Sequence, residues 1–319
     1  MELSNSFHLF VELILESSLK GKEVVGLKKI GTNNLFRSSL PYLGILPFGL
    51  LVLFFLIWPT LVVISGALQN LDGGFGLGSL VEVATNDKYL NGFKVSIQLA
   101  AYSAIAGAIL GALFSWAIAR GNSEGYFRRL VLAASGVFAQ FGGVMLTFAF
   151  LATFGFNGML TILANSFFGE NIFTDASWLY SLMGLVVVYT FFQIPLMLIV
   201  FLPAIENLKP EWKEASESLG GSTANYWFRV GGPILAPSFL GALLLLFANA
   251  FSAYATAAAL ISQGAPIVPL QIGFAISGEV SRTNPGISKA LAVGMILIVV
   301  LVMFGYFKLQ SKVSKWVKS

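Results

Sequence analysis

Residues 202–238 read LPAIENLKPEWKEASESLGGSTANYWFRVGGPILAPS and form the longest polar interruption in the second half of a very apolar chain. Pro210 suits the first turn of a helix, where its missing N–H removes no hydrogen bond. Glu211 beside it favours the positive end of the helix dipole. Gly220 and Gly221 are typical of a helix C-terminal stop. The stretch therefore predicts a short helix that begins at Pro210 and ends at the Gly-Gly bend.

This helix has one small, mostly apolar face. Its members recur at i, i+3, i+4 and i+7 and are Trp212, Ala215, Ser216 and Leu219, with Lys213, Glu214 and Glu217 on other faces. A second helical run is predicted from Thr223 to Val230, and Pro233 is predicted to close the loop before the next apolar span. Two short helices joined by a glycine bend would form a compact surface unit between membrane spans.

The composition indicates a polytopic membrane protein. The 319 residues are 56% hydrophobic and 11% charged, with mean hydropathy +0.81, whereas a soluble domain carries about 25% charged residues. The net charge of +4 comes from basic residues beside apolar spans, so membrane orientation explains it better than nucleic-acid binding. The chain has no Cys and one His, His8. Disulfides, thiol catalysis, zinc or other Cys/His metal sites and haem attachment are therefore unsupported.

Six apolar stretches are long enough to cross a bilayer, which takes about 20 residues in a helix. They are approximately Leu43–Gly66, Val95–Ala119, Leu130–Phe154, Trp178–Phe201, Ile234–Ile261 and Ala290–Phe307. The sequence thus predicts an all-α integral membrane protein with six transmembrane helices in residues 43–310. Residues 1–42 precede this domain and a basic tail, 311–319, follows it.

Most Lys and Arg residues fall on one side of these spans. They lie in four groups: Lys20, Lys22, Lys28, Lys29 and Arg37; Arg120, Arg128 and Arg129; Lys209, Lys213 and Arg229; Lys308, Lys312, Lys315 and Lys318. The opposite side has only Lys88, Lys94, Arg282 and Lys289. Because basic loops stay inside, both termini and the 202–238 loop are predicted to be cytoplasmic.

Two interpretations of residues 1–42 remain open. The segment is either an amphipathic helix on the membrane surface, centred on Phe7–Leu15, followed by a basic stretch, or a disordered tail. A secretory signal peptide is disfavoured, because Glu2 replaces a basic start, Glu12 interrupts the apolar run and no small-residue cleavage site follows.

The predicted membrane interior lacks charge. No Asp, Glu, Lys or Arg lies deep in a span, whereas proton relays and ion-coupled pathways normally use such residues. No carboxylate pair, His cluster or nucleophile–base set occurs there, so no catalytic residue is predicted. The chain also lacks a Walker A pattern, which argues against ATP binding by that route.

Polar residues in the spans are candidates for a translocation path. Asn249, Ser252, Thr256 and Gln263 recur at i, i+3, i+7 and i+14, which predicts a stripe on one face of the fifth span. These side chains would line a polar path or bond to another helix, and both remain open. Gln140 and Gln193 in the third and fourth spans are similar cases. Gly107 and Gly111 form a G-x-x-x-G pattern that indicates helix packing.

The 202–238 loop resembles the EAA loop of ABC-importer permeases. That family pattern is E-A-A, three residues, G, nine residues, I-x-L-P. The chain has Glu214-Ala215-Ser216, three residues, Gly220, nine residues, then Val230-x-Gly232-Pro233. Ser216, Val230 and Gly232 replace the family's second Ala, its Ile and its Leu, and Gly232 is the change expected to loosen the exit of the second helix.

The resemblance extends beyond this loop. The segment from Tyr189 through Asn249–Thr256 is similar to a branch of these permeases that includes polyamine, 2-aminoethylphosphonate, iron(III), thiamine and sulfate importers. It covers roughly residues 90–310 and does not reach residues 1–42. It implies the type I ABC importer permease fold and a small polar substrate such as a polyamine, an aminophosphonate or iron.

The resemblance also implies partners. The loop would dock onto a cytoplasmic ATPase through Glu214, Ala215, Ser216, Gly220, Val230 and Pro233. The ATPase dimer would hold ATP and Mg, so this chain would be a transport subunit without a cofactor of its own. A second permease, identical or homologous, and an extracytoplasmic solute-binding protein would complete the assembly in a prokaryotic cell membrane. The external segments Gln69–Asn91, Gly155–Ser177 and Ser262–Ile287 would contact the binding protein or serve as connectors.

A second class of protein remains open. A channel, a membrane scaffold or an ion-coupled secondary transporter would share the six spans and the charge pattern but would have no ATPase partner. A secondary transporter predicts internal repeats or broken helices with buried charges. Binding to an ATPase discriminates these alternatives.

Overall fold

The computed structural model describes residues 46–70, 74–121, 125–168, 176–261, 267–277 and 285–318, without the side chains of 168, 176–177, 277 and 309–318. The segment 1–42 with its predicted surface helix Phe7–Leu15, and the path candidate Gln263, lie outside the described residues. Within the described ranges the secondary structure is helical, apart from one isolated antiparallel bridge between Gln69 and Phe75.

The described ranges contain twelve helices, α1 to α12 in chain order. They are α1 (Leu46–Ala67), α2 (Gly78–Thr85), α3 (Asp87–Ala119), α4 (Tyr126–Gln140), α5 (Gly143–Phe154), α6 (Met159–Phe168), α7 (Leu182–Glu206), α8 (Pro210–Ser218), α9 (Thr223–Ser252), α10 (Ala255–Leu260), α11 (Val268–Ser277) and α12 (Pro285–Lys318). The chain divides into two compact units, residues 1–59 and 60–319. The described part of the first unit is helical with a wide π turn at Leu53–Ile57.

Within the described residues, six helical segments are long and apolar enough to cross a membrane. They are Leu46–Ala67, Asp87–Ala119, Gly143–Phe167, Leu182–Glu206, Thr223–Ser252 and Pro285–Lys308. The prediction of an all-α protein with six such spans is therefore confirmed for the described residues. The three segments predicted to be external connections each contain a further helix, namely α2, α6 and α11 in chain order.

The predicted third span, Leu130–Phe154, is wrong as a single helix. α4 ends at Gln140, the chain turns at Phe141 and Gly142, and α5 begins at Gly143 with φ +69°. A left-handed backbone is accessible to glycine without steric cost. The membrane-crossing segment consequently starts at Gly143 and continues to Phe167.

The predicted fifth span, Ile234–Ile261, is also wrong as a single helix. α9 ends at Ser252, Ala253 is extended with ψ 110°, and a separate short helix begins at Ala255.

The loop was also predicted to close at Pro233, but α9 runs through that proline. A π turn at Trp227–Gly231 precedes it, in which the Gly232 N–H donates to the carbonyl of Trp227. This turn adds a residue to the helix and relieves the constraints that proline imposes.

The core of the larger unit forms where α3 packs along α7 and α9. The packing role predicted for Gly107 and Gly111 is confirmed by the structure. A Cβ on Gly107 would lie 2.6 Å from the Cβ of Gln193, and one on Gly111 would lie 2.5 Å from the Cβ of Met197. Only glycine therefore lets α3 approach α7 this closely, and the approach buries Leu246 of α9 against both helices.

Candidate coupling loop and polar membrane path

The 202–238 loop begins its first helix as its sequence predicts. Pro210 is the first residue of α8 and Lys209 is its extended N-cap, with φ −72° and ψ 129°. The N–H of Trp212 donates to the Lys209 carbonyl at 3.2 Å, and Glu211 lies in the first turn. A carboxylate in the first turn stabilises the positive end of the helix dipole.

The predicted glycine stop of α8 is confirmed, and it is a Schellman motif. Gly220 has φ +77° and donates its N–H to the Glu217 carbonyl at 2.9 Å. Gly221 donates to the Ser216 carbonyl, also at 2.9 Å. These two bonds satisfy carbonyls that the helix end would otherwise leave unpaired. A Cβ on Gly221 would lie 2.7 Å from the Ser216 carbonyl oxygen, so Gly221 leaves no room for a side chain, whereas Gly220 has open space and is constrained only by its left-handed backbone.

The apolar face of α8 is exposed. Trp212 is 37% exposed and Leu219 is 89% exposed, and no residue of α8 is buried. With Ala215 and Ser216 these side chains form one wall of a groove of about 600 Å³, and residues of α9 such as Arg229 and Val230 form the other. An amphipathic helix that its own chain leaves uncovered can bind a groove of a partner.

Charged side chains of α8 lie outside this groove. The Lys213 ammonium pairs with the Glu217 carboxylate at 3.6 Å across one helical turn, and Glu214 is exposed. Pro233, the last residue of the predicted motif, is exposed within α9. Among the motif residues, Ala215, Ser216, Gly220 and Val230 line the groove, whereas Glu214 and Pro233 do not.

An ion pair connects the start of this loop to α4. The Arg128 guanidinium of α4 pairs with the carboxylate of Glu206, which is the last residue of α7. The side chains are 21% and 39% exposed. The contact therefore fixes the end of α7 a few residues before α8 begins at Pro210.

The two helix breaks contact each other inside the larger unit. The Gly143 N–H donates to the Thr256 hydroxyl at 2.9 Å, and the Thr147 hydroxyl donates to the Thr256 carbonyl at 3.2 Å. The Tyr189 hydroxyl of α7 donates to the Ala253 carbonyl at 2.8 Å. Irregular backbone at membrane depth is tolerated where its polar groups are satisfied by protein or line a cavity.

The predicted polar stripe is only partly present. Asn249 and Ser252 are exposed on α9, and the Ser252 hydroxyl donates to the carbonyl of Ala248 at 2.9 Å. Thr256 lies beyond the helix break, is 2% exposed and bonds to the other break. The expectation that these three residues share one face of a continuous helix is therefore wrong, because the extended backbone at Ala253 interrupts it.

The two glutamine candidates have different environments. Gln140 is exposed at the end of α4, directly before the first helix break. Gln193 is fully buried on α7, and neither its amide oxygen nor its nitrogen has a hydrogen-bond partner. The described structure thus brings Gln140, Asn249 and Ser252 to exposed positions but keeps Gln193 inside the packed helices.

Sequence reasoning missed the residues that join the breaks, namely Gly143, Thr147 and Tyr189. The Gly142-Gly143 pair was the available signal, since adjacent glycines in an apolar run often mark an irregular turn. Thr147 and Tyr189 had no such signal, because their partners lie far away in the sequence. Among the described residues, no three His, Cys, Asp or Glu side chains are grouped to hold a metal ion.

Solved structures place this fold in a known class. The chain superposes on a bacterial ABC transporter involved in the import of the acidic polysaccharide alginate, with TM-score 0.71, 15% identity and coverage of 88% of this chain and 99% of that chain. It also superposes on an inward-facing MetNI methionine ABC transporter, with TM-score 0.52, 16% identity and coverage of 70% and 95%. The chain therefore has the transmembrane fold of ABC importers.

Sequence relatives agree with this class, although no protein-family model matches the chain. The sulfate transport system permease CysT of Escherichia coli is 26% identical over 174 residues, which is 54% of this chain and 59% of that protein. The ferric transport system permease FbpB of Actinobacillus pleuropneumoniae is 24% identical over 265 residues, or 80% of this chain and 36% of that protein. The match thus spans less than two thirds of the length of either relative.

The fold is that of the transmembrane part of ABC importers, and six segments of the described residues are long and apolar enough for a multi-pass helical membrane protein. In sequence, the chain is similar to permease proteins named for sulfate and ferric transport. Such permeases are transport components, which agrees with the absence of a predicted catalytic set in the sequence.

Proposed function

We propose that this chain is the permease subunit of an ATP-driven importer and that its 202–238 loop transmits ATPase movements to the membrane helices. The observation that carries the proposal is the geometry of α8. A short helix with an uncovered apolar face, exposed Trp212 and Leu219, and a hydrogen-bonded glycine stop lies between the end of α7 and the start of α9. This is the type of surface that binds in a partner's groove.

The loop also has the connections that coupling requires. The loop begins in the last turns of α7 and ends in the first turns of α9. Both α7 and α9 pack against α3 in the core. The Arg128–Glu206 ion pair adds a contact between α4 and the start of the loop. A force on α8 would thus act on three membrane helices at once, because packed interiors move as discrete bodies rather than deform continuously.

The proposed assembly has several chains. Two permeases, identical or homologous, would pair in the prokaryotic cell membrane, with the loop and both termini in the cytoplasm. An ATPase dimer carrying ATP and Mg would bind the loops, and a solute-binding protein would deliver substrate from outside. Relatives named for sulfate and ferric transport support a small inorganic or polar ion as substrate.

Exposed polar side chains near the helix breaks are proposed to line the path. The candidates are Asn249, Ser252 and Gln140. The buried Thr256 would hold the two breaks together, and the buried Gln193 would reach the path only if the helices around it move apart.

Both breaks consist of uncharged residues, Phe141-Gly142 and Ala253-Tyr254. An ion-coupled transporter normally carries ionisable residues within its membrane segments, and the lack of them at these breaks favours an ATP-driven importer over that alternative.

The first experiment is affinity purification of the tagged chain from its native membrane, with partners identified by mass spectrometry. We expect a Walker A ATPase to co-purify with the wild type. Gly220→Val should lose it, because a β-branched residue at φ +77° destroys the Schellman stop. Gly220→Asn is the matched variant and should retain the ATPase, since asparagine tolerates this conformation.

Gly136→Ala controls for the loss of a glycine elsewhere, because a Cβ at Gly136 meets no atom within 4 Å. Recovery of the intact wild-type chain without any ATPase would contradict the proposal and favour a channel or secondary transporter. Equal ATPase recovery with Gly220→Val and Gly220→Asn would remove the loop from the proposed coupling role.

A further inference from the structure

A second groove lies between α3, α7 and α9, and five of its eleven lining residues belong to the two ends of the 202–238 loop. Its volume is about 600 Å³, within the range of about 300–1,000 Å³ that small-ligand pockets occupy. Ala112, Gly232 and Ala236 provide small side chains along it, while Trp116, Trp227 and Phe239 provide large aromatic walls. All of its lining residues belong to helical segments that are apolar enough to cross a membrane.

A cation lies beside this groove, stacked on one of its lining residues. The guanidinium of Arg120, the residue directly after α3, lies 3.9 Å from the centroid of the Trp116 ring. Within the described part of the chain, no carboxylate pairs with Arg120. Trp and Arg are typical of the boundary between hydrocarbon and headgroups. The groove therefore combines a long apolar slot with a positive charge at its headgroup end.

We propose that this groove binds one anionic phospholipid, with an acyl chain between α3, α7 and α9 and its phosphate at Arg120. The positive charge of Arg120 determines which lipid class the groove would prefer. In a bilayer an apolar slot gains little from exchanging one acyl chain for another, so preference must come from the headgroup. A guanidinium donates paired hydrogen bonds to phosphate oxygens, and its stacking on Trp116 holds it in place.

The position of the groove gives the lipid a regulatory role, and this part rests on the proposed function. Phe201 and Ile205 line it from the last two turns of α7, and Gly232 and Leu235 line it from α9. Ile205, Gly232 and Leu235 lie in the end segments of the 202–238 loop, and Phe201 directly precedes it. A lipid bound here would stabilise one spacing of the two segments and thereby set how far the loop moves.

The test uses the complex purified from its native membrane and placed in nanodiscs containing equal amounts of phosphatidylglycerol and phosphatidylcholine. Lipids retained after mild detergent extraction are then counted by native mass spectrometry. We expect the wild type to retain phosphatidylglycerol in preference to phosphatidylcholine. Arg120→Gln should reduce that preference about fivefold, the factor that corresponds to one basic residue near an anionic surface.

Lys308→Gln is the matched control for charge. The Lys308 ammonium also lies over an aromatic ring, that of Phe304, at 4.7 Å, but neither residue lines the groove. Ala236→Phe should fill the slot and release the bound lipid whatever its headgroup. Ala152→Phe, at an exposed alanine of α5, controls for the added aromatic ring.

Two outcomes would overturn the proposal. One is retention of both lipids in the proportions of the nanodisc, or equal retention by the Arg120 and Lys308 variants. The other is loss of a permease subunit, rather than lipid, from Ala236→Phe, which would make the groove a protein interface. Neither readout depends on ATPase activity, so the lipid site and the coupling function fail independently.

Discussion

The N–H of Gly143 donates a 2.9 Å hydrogen bond to the hydroxyl of Thr256, and this bond joins two interrupted membrane helices across 113 residues of sequence. Thr256 also accepts at its carbonyl from Thr147 and donates its hydroxyl to the Gly143 carbonyl at 3.4 Å, so one residue connects the start of α5 to α10 through three bonds. A break in a single helix would leave unpaired backbone groups in the hydrocarbon region. Here the polar groups of one break satisfy those of the other.

Thr256→Val should therefore destabilise the chain by about 1–2 kcal/mol, because it removes the acceptor of the partly buried Gly143 N–H and the bond donated to the Gly143 carbonyl, without changing the shape of the side chain. Thr256→Ser should retain most of the stability. Thr153→Val is the control, since the Thr153 hydroxyl bonds only to the Ala149 carbonyl of its own helix. Thermal unfolding of the purified chain measures all three. Equal stability of the two valine variants would show that the bond contributes nothing.

Asn249→Ala and Ser252→Ala should alter uptake while leaving the recovered ATPase unchanged. Both side chains are exposed on α9, and the Ser252 hydroxyl bonds only within its own helix, so packing does not depend on them. The measurement is the concentration dependence of substrate uptake by vesicles. An increase in the KM for uptake would support a role in the path. Unchanged uptake kinetics in the double variant would assign these residues to the lipid-facing surface.

Gly232→Leu restores the residue that the family pattern has at this position, yet we expect it to impair the protein. A Cβ at Gly232 would lie 2.5 Å from the Trp227 carbonyl oxygen, which is backbone and cannot move aside. The π turn at Trp227–Gly231 brings that carbonyl close. The variant should lower the unfolding temperature, whereas Gly305→Leu, at a glycine with open space around it, should not. A fully stable Gly232→Leu chain would mean that the π turn is not required.

The Arg128–Glu206 pair is expected to affect coupling more than stability. Both side chains are partly exposed, and such pairs contribute about 0–1 kcal/mol to folding. Glu206→Arg should lower substrate-stimulated ATPase activity of the reconstituted complex, and the reversed pair Arg128→Glu with Glu206→Arg should recover part of it. Glu217→Arg, which breaks the exposed Lys213–Glu217 pair, controls for a charge change in the loop. The assignment fails if the reversed pair performs no better than Glu206→Arg alone.

Local patterns were enough to predict α8. Proline at its start, a glycine at its end and an apolar spacing of three and four residues all depend on neighbouring residues in the chain. The helix observed at Pro210–Ser218 and the left-handed Gly220 follow directly from them. The number of membrane spans was likewise predictable, because hydrophobic length is a local property.

The path residues could not be placed in the same way. A spacing of i, i+3 and i+7 predicts a shared face only if the helix is continuous, and Ala253 interrupts it with an extended backbone. Alanine is a strong helix former, so local helix propensity does not predict that break. It exists because the Ala253 carbonyl accepts from Tyr189 and Thr256 bonds to Gly143, both on other helices.

The sequence by itself determined that this protein is a helical membrane protein with six apolar spans and an amphipathic loop helix ended by glycine. These properties depend on composition, length and nearest-neighbour chemistry. The tertiary structure alone decided where two of the spans break, that the breaks satisfy each other, and that Gly232 must lack a side chain. Each of these depends on polar groups or atoms that meet only after the helices pack, and in a membrane interior such groups must find their partners within the protein.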